Sequence, residues 1–167
     1  MLTLIREICV RLQETSLATA IRESRWLFPT IETLHVLATG LVVGTITMLD
    51  LRLLNLASRD RSVREVSAEV LPWTWASFAC AAISGALLFS SDAVKYYGNL
   101  QFRAKIMLLL LSGVNTLIFE LGTFRSVAAW DRGRTPLAAK LAGGLSLIFW
   151  ISVVTLGRWI GFTTTLR

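Results

Sequence analysis

The sequence holds one histidine, two cysteines and three prolines among 167 residues. Each scarcity excludes something. A single histidine, His35, cannot give a haem two imidazole ligands within one chain, nor build the histidine cluster of a zinc or copper site. Cys9 and Cys80 form no CxxC pair and match no zinc or iron–sulfur spacing. One falls in the N-terminal segment and the other in the middle of a long apolar run. They are not expected to pair, and they read as small hydrophobes. No patch interleaves basic and aromatic residues, so nucleic acid is not expected as a partner despite a net charge of +6. The opening "MLTLIREICVRLQET" lacks the unbroken apolar core of a secretory signal, because Arg6, Glu7 and Arg11 interrupt it.

Charge is also missing from long stretches. Fourteen uncharged residues separate His35 from Asp50, 22 separate Glu69 from Asp92, and 17 separate Lys140 from Arg158. With 54% hydrophobic residues and a mean hydropathy of +0.61, the chain is too apolar for a water-soluble domain of this size. Lys and Arg cluster between the apolar runs, which makes membrane lipids, and anionic headgroups among them, the expected partner.

A bilayer crossing takes ~20 apolar residues, and every backbone amide in hydrocarbon needs an internal partner, so the crossings are helices. The expected fold is all-α: a four-transmembrane-helix bundle with an N-terminal amphipathic interfacial helix. That helix occupies residues 1–25. The transmembrane domain occupies 26–167, with spans at about 26–50, 70–91, 102–124 and 137–162. Leu2, Ile5, Ile8 or Cys9, and Leu12 recur at helical spacing in the first segment, with Arg6, Glu7, Arg11 and Glu14 on other faces. Pro29 falls in the first turn of span one, where its missing N–H costs little. Trp26, Trp73, Trp75, Tyr96, Tyr97 and Trp159 lie near span ends, as interfacial aromatics do. "SRDRSVREVSAEV" reads as a charged amphipathic connector, and "RSVAAWDRGRTP" as a second one punctuated by Gly133 and Pro136.

Orientation follows from the basic residues near span ends. The tail, second loop and C-terminus carry nine Lys or Arg, and the first and third loops carry eight. Arg6 and Arg11 lie far from a span, and Lys105 and Arg158 read as lying inside the bundle. Without those, the first and third loops are richer. They are expected in the cytoplasm and both termini outside, in the inner (cytoplasmic) membrane of a bacterium.

Ionisable residues within spans are expensive and are functional hypotheses by default. Five stand out: Glu32, His35, Lys105, Glu120 and Arg158. In four antiparallel spans Glu32 and His35 begin span one, Lys105 begins span three and Arg158 ends span four, so these four share one membrane face. Asp50 and Glu120 lie at the other, near Arg52 and Arg125. The shared face has an imidazole, a carboxylate and two cations, with Tyr96, Tyr97 and Asn99 in the loop above. It reads either as a ligand site or as an interfacial network in which Glu32 pairs with a cation.

A b-type haem needs an axial ligand and cationic groups for its propionates. His35 would be the metal ligand, Lys105 or Arg158 the propionate partners, and Glu32 the group that orients the imidazole. A sixth ligand would come from Lys105, Met107, water or a second chain's His35. Copper is a weaker fit, since soft sites want several Met, Cys or His together. Gly40 and Gly44 form a GxxxG lying nine residues, about 180°, round the helix from His35, so they face another protomer in a homo-oligomer or pack within the chain. Ser77, Ala81 and Ser84 make a small-residue stripe on span two. Ser112, Asn115, Thr116 and Glu120 make a polar one on span three, read first as interhelical glue and second as a path across the membrane.

"WLFPTIETLHVLATGLVVGTITMLDLRLL" has an early histidine, spaced glycines and a charged exit, and "NLQFRAKIMLLLLSGVNTLIF" has a lysine opening a Leu-rich span. With the "GRWIGF" ending, these resemble an uncharacterised family of small bacterial four-helix inner-membrane proteins. More distantly they resemble copper-resistance D-like domains and haem-containing membrane protoporphyrinogen oxidases. The oxidase likeness implies haem-associated roles for His35 and Lys105. The oxidases' further histidines and proline-containing span-one exit have no counterpart here, so the likeness implies a ligand pocket rather than the oxidase reaction.

Three readings result. The first is binding of haem or another redox cofactor, with a quinone or redox partner. The second is a small transporter or channel component using the Glu32/His35/Lys105/Arg158 site. The third is a non-catalytic subunit or assembly factor.

Overall fold

The structure, a computed structural model, describes residues 2–131 and 134–165. Arg132, Gly133 and Arg167, which enter the sequence arguments on loops and orientation, lie outside the described residues. No strand occurs among the described residues. The elements are α1 (Leu2–Gln13), α2 (Ser16–Glu23), α3 (Leu27–Leu53), α4 (Val63–Ser91), α5 (Ala93–Gly98), α6 (Leu100–Leu121), a 3₁₀ turn (Thr123–Ser126), α7 (Val127–Trp130) and α8 (Leu137–Thr165). Four of the helical stretches are long and apolar enough to cross a membrane.

The bundle is two helical hairpins. α3 packs along α4, α6 packs along α8, and the principal contact between hairpins is α3 against α8. Small side chains on α4 allow the first pairing. Ser77 and Ser84 are buried there and return their hydroxyl protons to carbonyls of their own helix, so no donor is left over. Thr74 crosses to α3 and donates to Thr45 at 2.8 Å. In the second hairpin Asn115 of α6 donates to the Ala142 carbonyl of α8 at 3.0 Å, so this member of the polar stripe acts as glue. Its neighbour Thr116 returns its proton to the Ser112 carbonyl.

Two of the differences from the expected element boundaries have a clear local cause. α4 begins at Val63, seven residues before the apolar run at Val70. A capping box starts it early: the Ser62 hydroxyl accepts from the Glu65 N–H, and the Glu65 carboxylate accepts from the Ser62 N–H. Val63, Val66 and Val70 then fall at helical spacing and are buried. The N-terminal helix is two helices. Thr15 ends one and caps the next, its hydroxyl accepting from the Ala18 N–H at 3.3 Å. Neither piece floats free. The Gln13 side chain accepts from the Val94 N–H, and Arg22 donates to the Ser91 carbonyl at 3.0 Å. The pair is fastened over the corner where α4 meets α5.

The opposite end is tied as well. α3 stops with Asn55 at φ 58°, and the Leu56 N–H reaches back to the Leu51 carbonyl at 2.9 Å. That is a left-handed helix cap with asparagine standing where glycine is commonest. Buried Arg52 donates to the Arg61 carbonyl at 2.6 Å, to Asn55 Oδ1 at 3.0 Å and to the Asp131 carbonyl at 3.3 Å. Thr135, just before α8, donates to the same Asn55 oxygen. One guanidinium thus joins the α3–α4 loop to the segment that leads into α8.

Candidate functional site

His35 lies about two turns into α3 and turns toward α4, where its ring lies against Gly85. A Cβ at Gly85 would stand 2.9 Å from the ring Cε1, so only glycine leaves room for the imidazole here. Nδ1 is 2.9 Å from the Ala81 carbonyl and 3.1 Å from the Ser84 hydroxyl. A carbonyl can only accept, and the Ser84 proton goes to the Cys80 carbonyl at 2.7 Å. These partners assign the proton to Nδ1, which donates to both oxygens. Nε2 keeps its lone pair in the neutral ring. A backbone carbonyl on the far nitrogen is the arrangement that orients a metal-binding histidine.

Lys105, in the second turn of α6, reaches toward α8. A Cβ at Gly157 would stand 3.2 Å from its ammonium, so a missing side chain again makes the space. The ammonium is close enough to act electrostatically on the His35 ring. It has no carboxylate partner: among the described residues the one ion pair is Arg61–Glu69, at the other end of the bundle. The two hairpins therefore place a half-buried cation without a counter-charge within electrostatic range of an imidazole.

The other two members of the expected cluster stand apart from this pair. Three residues along a helix bring Glu32 round to within about 60° of His35, yet that 60° leaves it exposed. The orienting bond on the imidazole comes from Ala81 instead. Glu32 acts on Tyr96 of α5. Burial first, and then the Asp92 and Glu32 carboxylates, push the Tyr96 phenol above its usual value of 10.0. Arg158 is exposed on the outer side of α8, its guanidinium 5.1 Å from the centre of the Phe162 ring. An open groove of about 400 Å³ runs beside it, lined by Val154, Thr155, Trp159 and Phe162 of the same helix. Gly157 faces Lys105, and one residue of helical rotation takes Arg158 out of that space.

Above the pair, Phe89, Tyr96 and Phe102 stack α4, α5 and α6 together, with the Phe89 and Phe102 rings 5.2 Å apart. Asn99 caps α6 and bonds Thr163 of α8 at 2.9 Å. With α1 and α2 on the α4–α5 corner, this end of the bundle is roofed. Met107 faces outward at 58% exposure, away from any shared site. Gly40 and Gly44 also face outward, with nothing of the same chain within 4 Å of a Cβ built on either. No group of three or more His, Cys, Asp or Glu gathers among the described residues, so a zinc centre of several such ligands has no donor set there.

Asp50 is the residue that sequence reasoning passed over. It had been grouped with Arg52 at the exit of span one. In the structure it is 4% exposed, it lies beside buried Ser146 of α8, and its Oδ2 has no partner. The signal was present in "MLDLRLL": residues two apart on a helix point about 200° apart, so Arg52 cannot reach Asp50.

Fold and spans define a multi-pass, all-helical membrane protein with a polar pair between its hairpins. The chain belongs to a family of unknown function, DUF6644, whose pattern matches residues 14–163. No curated protein and no solved structure matches it.

Proposed function

We propose that the His35–Lys105 pair is a ligand site for an anionic, metal-bearing redox cofactor of the b-type haem class. His35 Nε2 is the axial ligand, and Lys105 is the second ligand or the partner of a propionate. The observation that carries this reading is the free Nε2 lone pair, on a ring locked by Ala81, beside an ammonium that has no counter-charge. A haem bound there would supply one-electron chemistry. The chain's own part is to hold the imidazole in one tautomer, to neutralise a carboxylate with Lys105, and to shield the pair under the Phe89–Tyr96–Phe102 stack. The likeness of the span-one histidine and span-three lysine to membrane protoporphyrinogen oxidases supports the same reading. The setting is the bacterial inner membrane, with a quinone or another redox carrier as electron partner.

The test is the visible absorption spectrum of detergent-purified protein, oxidised and dithionite-reduced, from cells given haem precursor. A Soret band that is lost or shifted in His35→Ala is the expected result. A folded wild type that stays colourless and takes up no added haemin overturns the reading. A second reading rests on the bare Lys105 ammonium: a transport site for a small anion, with His35 as its proton carrier. That reading requires anion flux in liposomes which Lys105→Met abolishes.

A further inference from the structure

The opposite end of the bundle holds a second buried ionisable group, and it belongs to no part of the His35 site. Asp50 is 4% exposed, and Oδ2 is the one buried side-chain polar atom without a hydrogen-bond partner among the described residues. Its polar neighbour across the seam is Ser146 of α8, itself buried. The helices meet closely here. A Cβ on Gly143 would stand 3.2 Å from the Asp50 carbonyl oxygen and 3.2 Å from Leu53 Cβ, so α8 lies directly on α3 beside the carboxyl group.

The charged groups around it are engaged elsewhere. On its own helix, Arg52 gives its guanidinium to the Arg61 and Asp131 carbonyls and to Asn55. From α4, Glu69 is exposed and paired with Arg61. Asp131, after α7, accepts from the Arg64 N–H at 3.1 Å. Glu120 of α6 and Lys140 of α8 are half-buried and form no ion pair with Asp50. An ionised Asp50 would be a buried charge with one hydroxyl for company, and such groups neutralise rather than stay charged.

We propose that Asp50 is a proton-binding site of the transmembrane bundle, carrying a neutral carboxyl group beside Ser146. The proton sits on Oδ2, the buried oxygen without a partner. Its release leaves a carboxylate between α3 and α8, which only water or a cation entering that seam can solvate. Proton release is therefore linked to loosening of the α3–α8 contact, the principal one between the hairpins. This stands apart from the ligand reading of His35, and either can fail alone.

The test is infrared spectroscopy of the full chain at neutral pH, with ¹³C at the aspartate side-chain carboxyl. A label-sensitive carbonyl stretch of a protonated carboxylic acid is expected. It should be absent in Asp50→Asn, displaced in Ser146→Ala, and lost as the pH is raised. Should Asp50→Asn fail to fold, the displacement in Ser146→Ala still makes the assignment. A wild type with no protonated-acid band at neutral pH overturns the proposal, whether or not added sodium alters the spectrum. So does a band that neither variant changes.

Discussion

Replacing Gly85 with alanine tests the His35 geometry where it is tightest. The new Cβ would lie 2.9 Å from Cε1, 3.3 Å from Nδ1 and 3.9 Å from Nε2 of the imidazole. Carbon atoms rest about 3.5–4.0 Å apart, so the ring must retreat by roughly 0.7 Å. The Nδ1–Ala81 bond now spans 2.9 Å. A retreat of that size takes it to about 3.6 Å, outside hydrogen-bonding range. Losing the bond costs about 1 kcal/mol. Crowding the α3–α4 seam adds about 1–2 kcal/mol, and alanine's better helix propensity returns up to ~1 kcal/mol. The net expectation is a destabilisation of about 1–3 kcal/mol. Gly40→Ala and Gly44→Ala are the controls, because their new methyls meet nothing of the same chain. Unfolding by denaturing detergent, in matched micelles, measures all three. Gly85→Ala as stable as the two controls would refute the packing of His35 on α4.

Other perturbations address the two ends. Arg52→Ala removes a buried guanidinium that holds two backbone carbonyls and Asn55. It should cost about 3 kcal/mol or more, read as a large drop in the detergent unfolding midpoint; a loss under ~1 kcal/mol would show that the α3–α4 loop holds without it. The Tyr96 phenol, raised above 10.0, supports stability that is complete below that pH and is lost as the pH rises through the raised value. The absorbance difference between wild type and Tyr96→Phe should show a phenol titrating above 10.0, and the variant should lose less stability at alkaline pH. A difference curve centred at or below that value would contradict the burial of Tyr96 against Phe89 and Phe102.

The architecture was legible because uncharged runs of 14, 22 and 17 residues leave little choice in a chain this apolar. Span ends were less so. Val63–Glu69 looked like a connector because it is charged, yet Ser62 and Glu65 reciprocate as a capping box and carry the helix through it. The break at Thr15 follows the last residue of the Leu2–Leu12 spacing, and the Thr15 hydroxyl starts a new helix by accepting from the Ala18 N–H. Antiparallel topology is enough to bring His35 and Lys105 to one end of the bundle. It could not say how each helix is rotated, and rotation separates Lys105 from Arg158 and His35 from Glu32. Small residues decided that rotation. Gly85 and Gly157 are where the imidazole and the ammonium lodge, and glycines opposite a polar side chain give no signal of their own in a sequence. Asp50 was missed for the same reason: its nearest cation in sequence, Arg52, points into the loops.

The proposed ligand site depends most on which nitrogen of His35 carries the proton, and the chain has one histidine to observe. Labelling histidine with ¹⁵N and recording the two ring nitrogens in lipid or detergent measures that directly, free of assignment problems. The expected spectrum has a protonated, hydrogen-bonded Nδ1 and an unprotonated Nε2 whose resonance moves when haemin is added. A ring protonated on Nε2, with Nδ1 bare, would contradict the bond to Ala81 and remove the basis for a ligand at His35.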